Sequence, residues 1–424
     1  MLQNLNNEEI HMTTAFQNND WVSIDDTRDI ILASMLQETC DVSFLLLGEP
    51  GIAKTAMAMD VARIATESDG VKRISTYIDV PTTDPSDIGI PIPNHETGTT
   101  RLYPNEAFKF HLMGEDGDPG VLIYDELSKG VMPVQNMLHP SLTMVDGARR
   151  IGATRLHRRT VVVATGNLNS DGVGDALKSH TRNRVIVLYV RKPTNEEFLS
   201  YAIGAGIHPM IAAWIANEPR LFKSYTDGDF ETFDDETLML IHNPTAKSQN
   251  KQQAVVTPRS IMMASSILHA AEAAGIRENL LTAQLHGAWG ATATRLFMAF
   301  RSIGKDLPSP KDIVADPEGT PVPTSAAAQM IMGFKAPHWM TANAGGLAAP
   351  KTRLDVVARI NAYFKYIKRM SAEQQAVFVN HVKLAHDNAV KAKKTTDMSK
   401  LWDVLTGTEA YQQWAVEHNY MFTK

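Results

Sequence analysis

The segment Gly48-Glu49-Pro50-Gly51-Ile52-Ala53-Lys54-Thr55 lies directly after the apolar run SFLLL and directly before the helical run AMAMDVARIA. A strand, a Gly-bearing loop and a helix N-terminus place successive backbone N–H groups around an anion, and the helix dipole adds to that attraction. Lys54 is then placed to reach the β and γ phosphates of a nucleotide, and the Thr55 hydroxyl to hold Mg²⁺. The stretch from Gly48 through Ala56 is the predicted ATP-binding segment. Ala53 stands where the pattern requires its second Gly, so the backbone there is expected to be one that an L-residue tolerates.

A phosphate loop of this kind needs a buried strand before it and a second source of carboxylate. Val121-Leu-Ile-Tyr-Asp125-Glu126 supplies the carboxylates, four apolar residues ending in two acids. Asp125 at the strand tip is predicted to hold Mg²⁺, and Glu126 to orient and polarise the attacking water. That adjacent pair separates hydrolases from small-molecule kinases, which have no reason to activate water. A third run, Thr160-Val-Val-Val-Ala-Thr-Gly166-Asn167, ends in an amide able to bond the same water or the γ-phosphate. With Val42 to Leu47, Arg73 to Val80 and Arg184 to Val190, these runs alternate with helical patterns. Near-continuous apolar runs between helix-length segments predict a parallel sheet covered on both faces. Ser23-Ile-Asp-Asp26 reads as a capped helix start.

After Lys192-Pro193 the pattern turns to helices without strands: Asn195 to Ile203, His208 to Ile215, Arg259 to Ala274 and Arg277 to Phe300. Ser224 to Gln253, acidic and then polar, reads as a surface excursion, and Leu307 to Pro323 as an irregular, proline-rich connector. Phe378, Val382, Ala385 and Ala389 form one apolar stripe of a further helix.

These motifs resemble the MoxR family of AAA+ ATPases. GEPGIAKT, including Ala53, is similar to that family's loop; VPTTDPSDIGIP with LYPNEAF resembles the segment holding its helix-2 insert. LIYDELSKGVMPVQNMLHPSL resembles its Walker B strand and following helix, and VVVATGNLNSDG its first sensor. GIHPMIAAWIANEPRLF and Val256-Thr-Pro-Arg259-Ser resemble its lid with the second sensor. The resemblance implies an ATP-driven homo-oligomer, a ring of usually six subunits, with each site completed by a neighbour. It implies that Arg184, with Arg182 as the alternative, is the arginine finger, that Arg259 contacts the γ-phosphate of its own subunit, and that a client or von Willebrand factor A domain protein is the partner. Val185 departs from it, since an aromatic usually follows the finger. Motifs and resemblance divide the chain into a lead-in over residues 1–22, an AAA+ α/β ATPase core over 23–192, an α-helical lid over 193–305 and a helical C-terminal extension over 306–424.

Composition bounds the rest. The 424 residues, 44% of them apolar, carry 41 basic and 47 acidic side chains, a net charge of -6. Overall positive charge for holding nucleic acid is absent, which disfavours a nucleic-acid-dependent motor or loader. Its one support is the Arg-rich run Asp146 to Arg159, which otherwise reads as subunit-interface ion pairs on a solvated face. An ATP-bound switch or scaffold with slow turnover is the other alternative. The single cysteine, Cys40, excludes an internal disulfide framework. Among the 14 histidines no HExxH occurs, and His381 and His386 are off one helical face, so a transition metal is not expected. Neither a secretory signal nor an apolar run near the ~20 residues of a membrane span is visible. The expected location is cytoplasmic, or the host-cell cytoplasm for a viral chain.

Overall fold

The computed structural model describes residues 21–168, 179–244, 254–342, 353–391 and 397–418. The lead-in before residue 21, the NSDG end of the third motif and the tract TAKSQNKQQ lie outside the described residues. The chain divides into two compact units, the first extending to Pro193 and taking in Thr226–Glu231, the second formed by Thr194–Tyr225 and the chain from Thr232 onward.

In chain order the strands of the first unit are β1 (Trp21–Val22), β2 (Ser43–Leu47), β3 (Ile74–Asp79), β4 (Gly89–Asn94), β5 (Thr99–Pro104), β6 (Gly120–Asp125), β7 (Arg150–Ile151), β8 (Thr154–Arg155), β9 (Val161–Gly166) and β10 (Ile186–Val190). Its helices are α1 (Ile24–Met35), α2 (Lys54–Asp69), α3 (Pro85–Ile88), α4 (Met132–Leu138) and α5 (Ser179–Arg182). Six strands form a parallel sheet in the order β1-β10-β2-β9-β6-β3, while β4 with β5 and β7 with β8 are antiparallel hairpins.

Alternation along the strands explains why these runs read as continuously apolar. Phe44, Leu46, Val121, Ile123, Val161 and Val163 enter one core with Ile31 and Met35 of α1 and Val61 of α2. Leu45, Leu122, Tyr124, Val162 and Ala164 enter the opposite core with Phe110 and with Val134 and Leu138 of α4. A sheet buried on both faces leaves few positions for a polar residue in its central strands before the tips. At the start of α1, Ser23 Oγ accepts from Asp26 N at 3.0 Å and donates to Asp26 Oδ2 at 2.7 Å, the cap that the sequence predicts.

The second unit is helical: α6 (Asn195–Gly204), α7 (Pro209–Asn217), α8 (Asp235–Leu240), α9 (Pro258–Ala274), α10 (Glu278–Ile303), α11 (Pro310–Ala315), α12 (Ala326–Ala342), α13 (Arg353–Ile367), α14 (Ala372–Lys391), α15 (Asp397–Thr406) and α16 (Glu409–Glu417). The expected fold class, a parallel sheet flanked by helices and followed by a helical region, is the one observed. Trp214, Trp289 and Phe297 form one aromatic cluster with ring centroids 5.0 to 5.4 Å apart. Phe364, Phe378 and Trp414 anchor another, and Phe378 and Val382 of the predicted stripe are fully buried there.

Three local expectations are corrected. The acidic excursion contains α8, whose Leu240 is buried together with the adjoining Ile241. The proline-rich connector contains α11, in which Pro310 takes the first turn, Ser309 caps, and Ile313 is fully buried. The helix predicted over Arg277 to Phe300 is broken at Gly290, with φ 87° and ψ 172°, where an added Cβ would meet Ala254 O at 2.4 Å.

No described helix is long and apolar enough to cross a membrane.

Candidate functional site

The parallel register brings three strand tips to one edge. Leu47 pairs with Gly166, and Tyr124 with Ala164, so the loop after β2 and the acids after β6 flank the end of β9. Ligands of open parallel sheets bind at such carboxyl edges.

The Gly48–Ala53 loop turns tightly onto α2. Gly48 packs against β10, and a Cβ there would come within 2.4 Å of Val190 O. Gly51 has φ 77° and Ala53 φ 84° with ψ 15°. The expectation that Ala53 sits in backbone comfortable for an L-residue is therefore corrected: it adopts the left-handed region that Gly favours. Ala53 caps α2 with no side-chain hydrogen bond, so the first N–H groups of a 16-residue helix, those of Lys54, Thr55 and Ala56 among them, face the loop. Pro50 and Ile52 shape the turn, and Ile52 is buried in the α1–α2 core.

Lys54 is buried, and its Nζ donates to Gly48 O and Glu49 O, both at 2.7 Å, and to Asn167 Oδ1 at 3.4 Å. The ammonium thus lies inside the loop it belongs to. Glu49 is buried as well, and its charge acts on the buried Lys192 just beyond β10. Burial pushes the Lys192 pKa down, while the nearby Glu49 and Asp227 carboxylates act in the opposite direction.

Asp125 collects hydroxyls. Thr55 Oγ1 donates to Asp125 Oδ1 at 2.7 Å, Thr165 Oγ1 donates to the same oxygen, and Tyr77 OH donates to Oδ2 at 3.0 Å. Glu126 has left-handed backbone, φ 52° and ψ 45°, and its N–H donates to Thr165 Oγ1 at 3.2 Å. Its Oε1 accepts from Asn167 Nδ2 at 3.2 Å, and its Oε2 lies 2.5 Å from Lys129 Nζ. Lys54, Thr55, Asp125, Glu126 and Asn167 are therefore brought together. Arg182 ends α5 and Arg184 follows it toward β10, both exposed. Arg259 is in the first turn of α9, exposed, and belongs to the helical unit.

Thr165, Tyr77 and Lys129 are site residues that the sequence reading did not single out. Thr165 was visible only as the residue before Gly166-Asn167. Tyr77 reaches Asp125 because β3 pairs with β6 in a register that sets Asp79 beside Asp125, and strand register is not written in either strand alone. Lys129 owes its place to the short turn after Glu126.

The Arg-rich run folds as the β7–β8 hairpin and the chain around it, and much of it faces inward. Arg149 is fully buried, with its guanidinium donating to Thr160 O, Ser43 Oγ, Ser141 O, Cys40 O and Val42 O at 2.6 to 3.2 Å. Arg159 and Arg73 both pair with Asp69, at 2.6 and 2.7 Å, and these bonds, Arg73's first, hold the Asp69 carboxyl below the usual carboxylate range. Arg155 pairs with Glu115 at 3.1 Å. Arg150 is half-buried and Arg158 exposed, so the run divides between the buried Arg149, the paired Arg155 and Arg159, and a solvated remainder.

No protein-family model matches the chain, and no curated protein matches it. The parallel sheet flanked by helices is broadly consistent with a P-loop NTPase fold. The donor set at Asp125 is made of hard oxygens, one carboxylate and three hydroxyls, which suits Mg²⁺ rather than a thiophilic metal. Among the described residues no group of three or more histidine, cysteine or acidic side chains is placed to hold a metal ion.

Proposed function

We propose that this chain is a Mg²⁺-dependent ATPase of AAA+ type, similar to the MoxR family, whose hydrolysis cycle remodels or activates a partner protein. The observation that carries the reading is the Thr55–Asp125 hydrogen bond at 2.7 Å, set beside a carboxylate, Glu126, that shares Asn167 with Lys54. A phosphate-binding loop, a metal-holding acid and a water-activating acid need that adjacency.

In this reading the loop N–H groups and Lys54 hold the β and γ phosphates of ATP, and Thr55 and Asp125 hold the metal. Mg²⁺, when bound, supplies neutralisation of phosphate charge. Glu126 accepts a proton from water as the water oxygen bonds to the γ-phosphorus and the bond to the ADP oxygen breaks, leaving ADP and phosphate. Asn167 orients that water. Arg184 or Arg182 enters a neighbouring subunit's site in a homo-oligomeric, hexameric ring, and Arg259 contacts the γ-phosphate of its own subunit. A client or von Willebrand factor A domain protein is the partner class within this reading. A nucleic-acid motor is the weaker reading, because three of the five arginines in the Arg-rich run, Arg149, Arg155 and Arg159, are engaged with groups of their own unit.

The test is Glu126→Gln. It is expected to bind ATP and lose turnover, and to co-purify with its partner when trapped with ATP; retained hydrolysis would overturn the assignment. Turnover per subunit is expected to fall on dilution that dissociates the oligomer, and a flat profile would remove the trans-acting arginine.

A further inference from the structure

Glu126 is flanked on both carboxylate oxygens, and the two neighbours differ in kind. Asn167, on Oε1, also touches Lys54 and so belongs to the phosphate side of the site. Lys129, on Oε2, touches none of the phosphate-loop residues in the contacts described above and comes from the turn Leu127–Lys129. That turn is well anchored. Leu127 is buried, Lys129 N donates to Glu126 O at 2.9 Å, and Gln135 Nε2 of α4 donates to Gly130 O at 2.8 Å. Gly130 packs so closely on the chain after β3 that a Cβ would meet Val80 Cγ1 at 2.3 Å. Lys129 therefore projects from a fixed base, and its side chain is only 22% exposed.

A glutamate with three rotatable side-chain bonds does not hold one carboxylate orientation by itself. Backbone strain at Glu126 and the Thr165 contact fix its Cα, and Asn167 restrains one oxygen. We propose that Lys129 is a positioning residue for the proposed ATPase reaction: its ammonium holds Oε2 and thereby sets the plane in which Glu126 meets the attacking water. This inference rests on the reading of Glu126 given above. An ordinary exposed ion pair three residues apart contributes little to anything. Here the partner is the acid whose placement governs the reaction, and a displacement of about 1 Å at such a group is enough to cost about a hundredfold in rate.

The experiment uses the full chain as wild type, Lys129→Met, Lys129→Arg, Glu126→Gln and the Lys129→Met/Glu126→Gln double variant. Steady-state ATP turnover, equilibrium binding of a fluorescent ATP analogue and thermal melting are measured on each. Lys129→Met is expected to lower kcat roughly ten- to a hundredfold, with KM and analogue affinity unchanged within about twofold. Lys129→Arg is expected to recover most of kcat. In the Glu126→Gln background the Met substitution is expected to change residual turnover no further, because the group it positions is gone. A kcat for Lys129→Met that is unchanged or raised overturns the proposal, and so does a loss that repeats in the Glu126→Gln background or one accompanied by weaker analogue binding and lower melting temperature. Failure of the parent reading looks different: the wild-type chain turns over no ATP, or Glu126→Gln is as fast as wild type, and Lys129's role falls with it.

Discussion

Thr55 Oγ1 donates to Asp125 Oδ1 at 2.7 Å, joining the first turn of α2 to the tip of β6 across 70 residues of chain. Thr165 and Tyr77 complete the set of hydroxyls on that acid. Thr55→Val keeps the shape and removes the hydroxyl, so the proposed metal loses one oxygen while Asp125 keeps two donors. The expected outcome is a Mg²⁺ requirement for ATP turnover displaced upward roughly ten- to a hundredfold, with Thr55→Ser close to wild type. Titrating Mg²⁺ against turnover checks it; an unshifted half-saturation for Thr55→Val removes Thr55 from the metal's surroundings.

Ala53 adopts φ 84° and ψ 15°, and left-handed backbone costs an L-residue about 1–2 kcal/mol. Glycine removes that strain and adds about 0.5–1 kcal/mol of unfolded-state entropy. Ala53→Gly is therefore expected to leave the first unit as stable or up to about 1 kcal/mol more stable, a rise of about 2–4 °C in melting temperature at most. Ala58→Gly, in the buried middle of α2, is expected to lower it. Calorimetry of the two variants side by side tests the sign: equal falls at both positions would contradict strain at Ala53.

The sheet was legible because a strand covered on both faces has few polar positions, as the split of Val161 and Val163 from Val162 and Ala164 makes concrete. Asp125, Glu126 and Asn167 were legible for the same reason, since each stands where an apolar run stops, whereas Lys54 and Thr55 were legible from the Gly-bearing loop that joins β2 to α2. What was hidden depends on pairing and closure. Tyr77 meets Asp125 through register, and Ala53 takes a glycine conformation because the loop must close between β2 and α2. The helices α8 and α11 hid in polar and proline-rich stretches because a short helix needs little more than a cap and one buried anchor, Leu240 or Ile313. Arg149 read as solvated, because nothing in its neighbours announces the carbonyls that surround it.

Those carbonyls make Arg149 a structural residue with a measurable weight. Its guanidinium satisfies Thr160 O, Ser141 O, Cys40 O, Val42 O and Ser43 Oγ in a fully buried position, tying the hairpin region to β2 and the chain before it. Arg149→Met leaves several buried oxygens without donors, and a loss of about 3–5 kcal/mol is expected. Arg149→Lys is expected to recover little, since an ammonium cannot reproduce the planar fork. Urea unfolding of the variants measures both; a loss below about 1 kcal/mol for Arg149→Met would show that the cage relaxes around the gap.

His381 on α14 is buried, and both of its ring nitrogens lack a hydrogen-bond partner. Burial pushes its pKa down from 6.5 to about 3, with His338, whose ring lies 5.5 Å away, adding to the effect. His338 is itself pushed down to about 4, by burial first and then by His208 and His269. For both groups the folded value lies below the unfolded one, so below pH 6.5 the unfolded chain binds more protons and folding weakens as pH falls. The stability of the helical unit is expected to be complete above about pH 6.5 and to decline through pH 5, by about 2 kcal/mol for each histidine at that point. His381→Phe, placed against Phe334 at the ring distance of 5.0 Å that His381 now holds, carries no titrating group and no unpartnered nitrogen. It is expected to be at least as stable as wild type at pH 7.5 and to lose about half of the decline between pH 7 and 5. Urea midpoints measured across that range decide it: a decline of unchanged steepness in His381→Phe would assign the acid sensitivity to groups other than this buried ring.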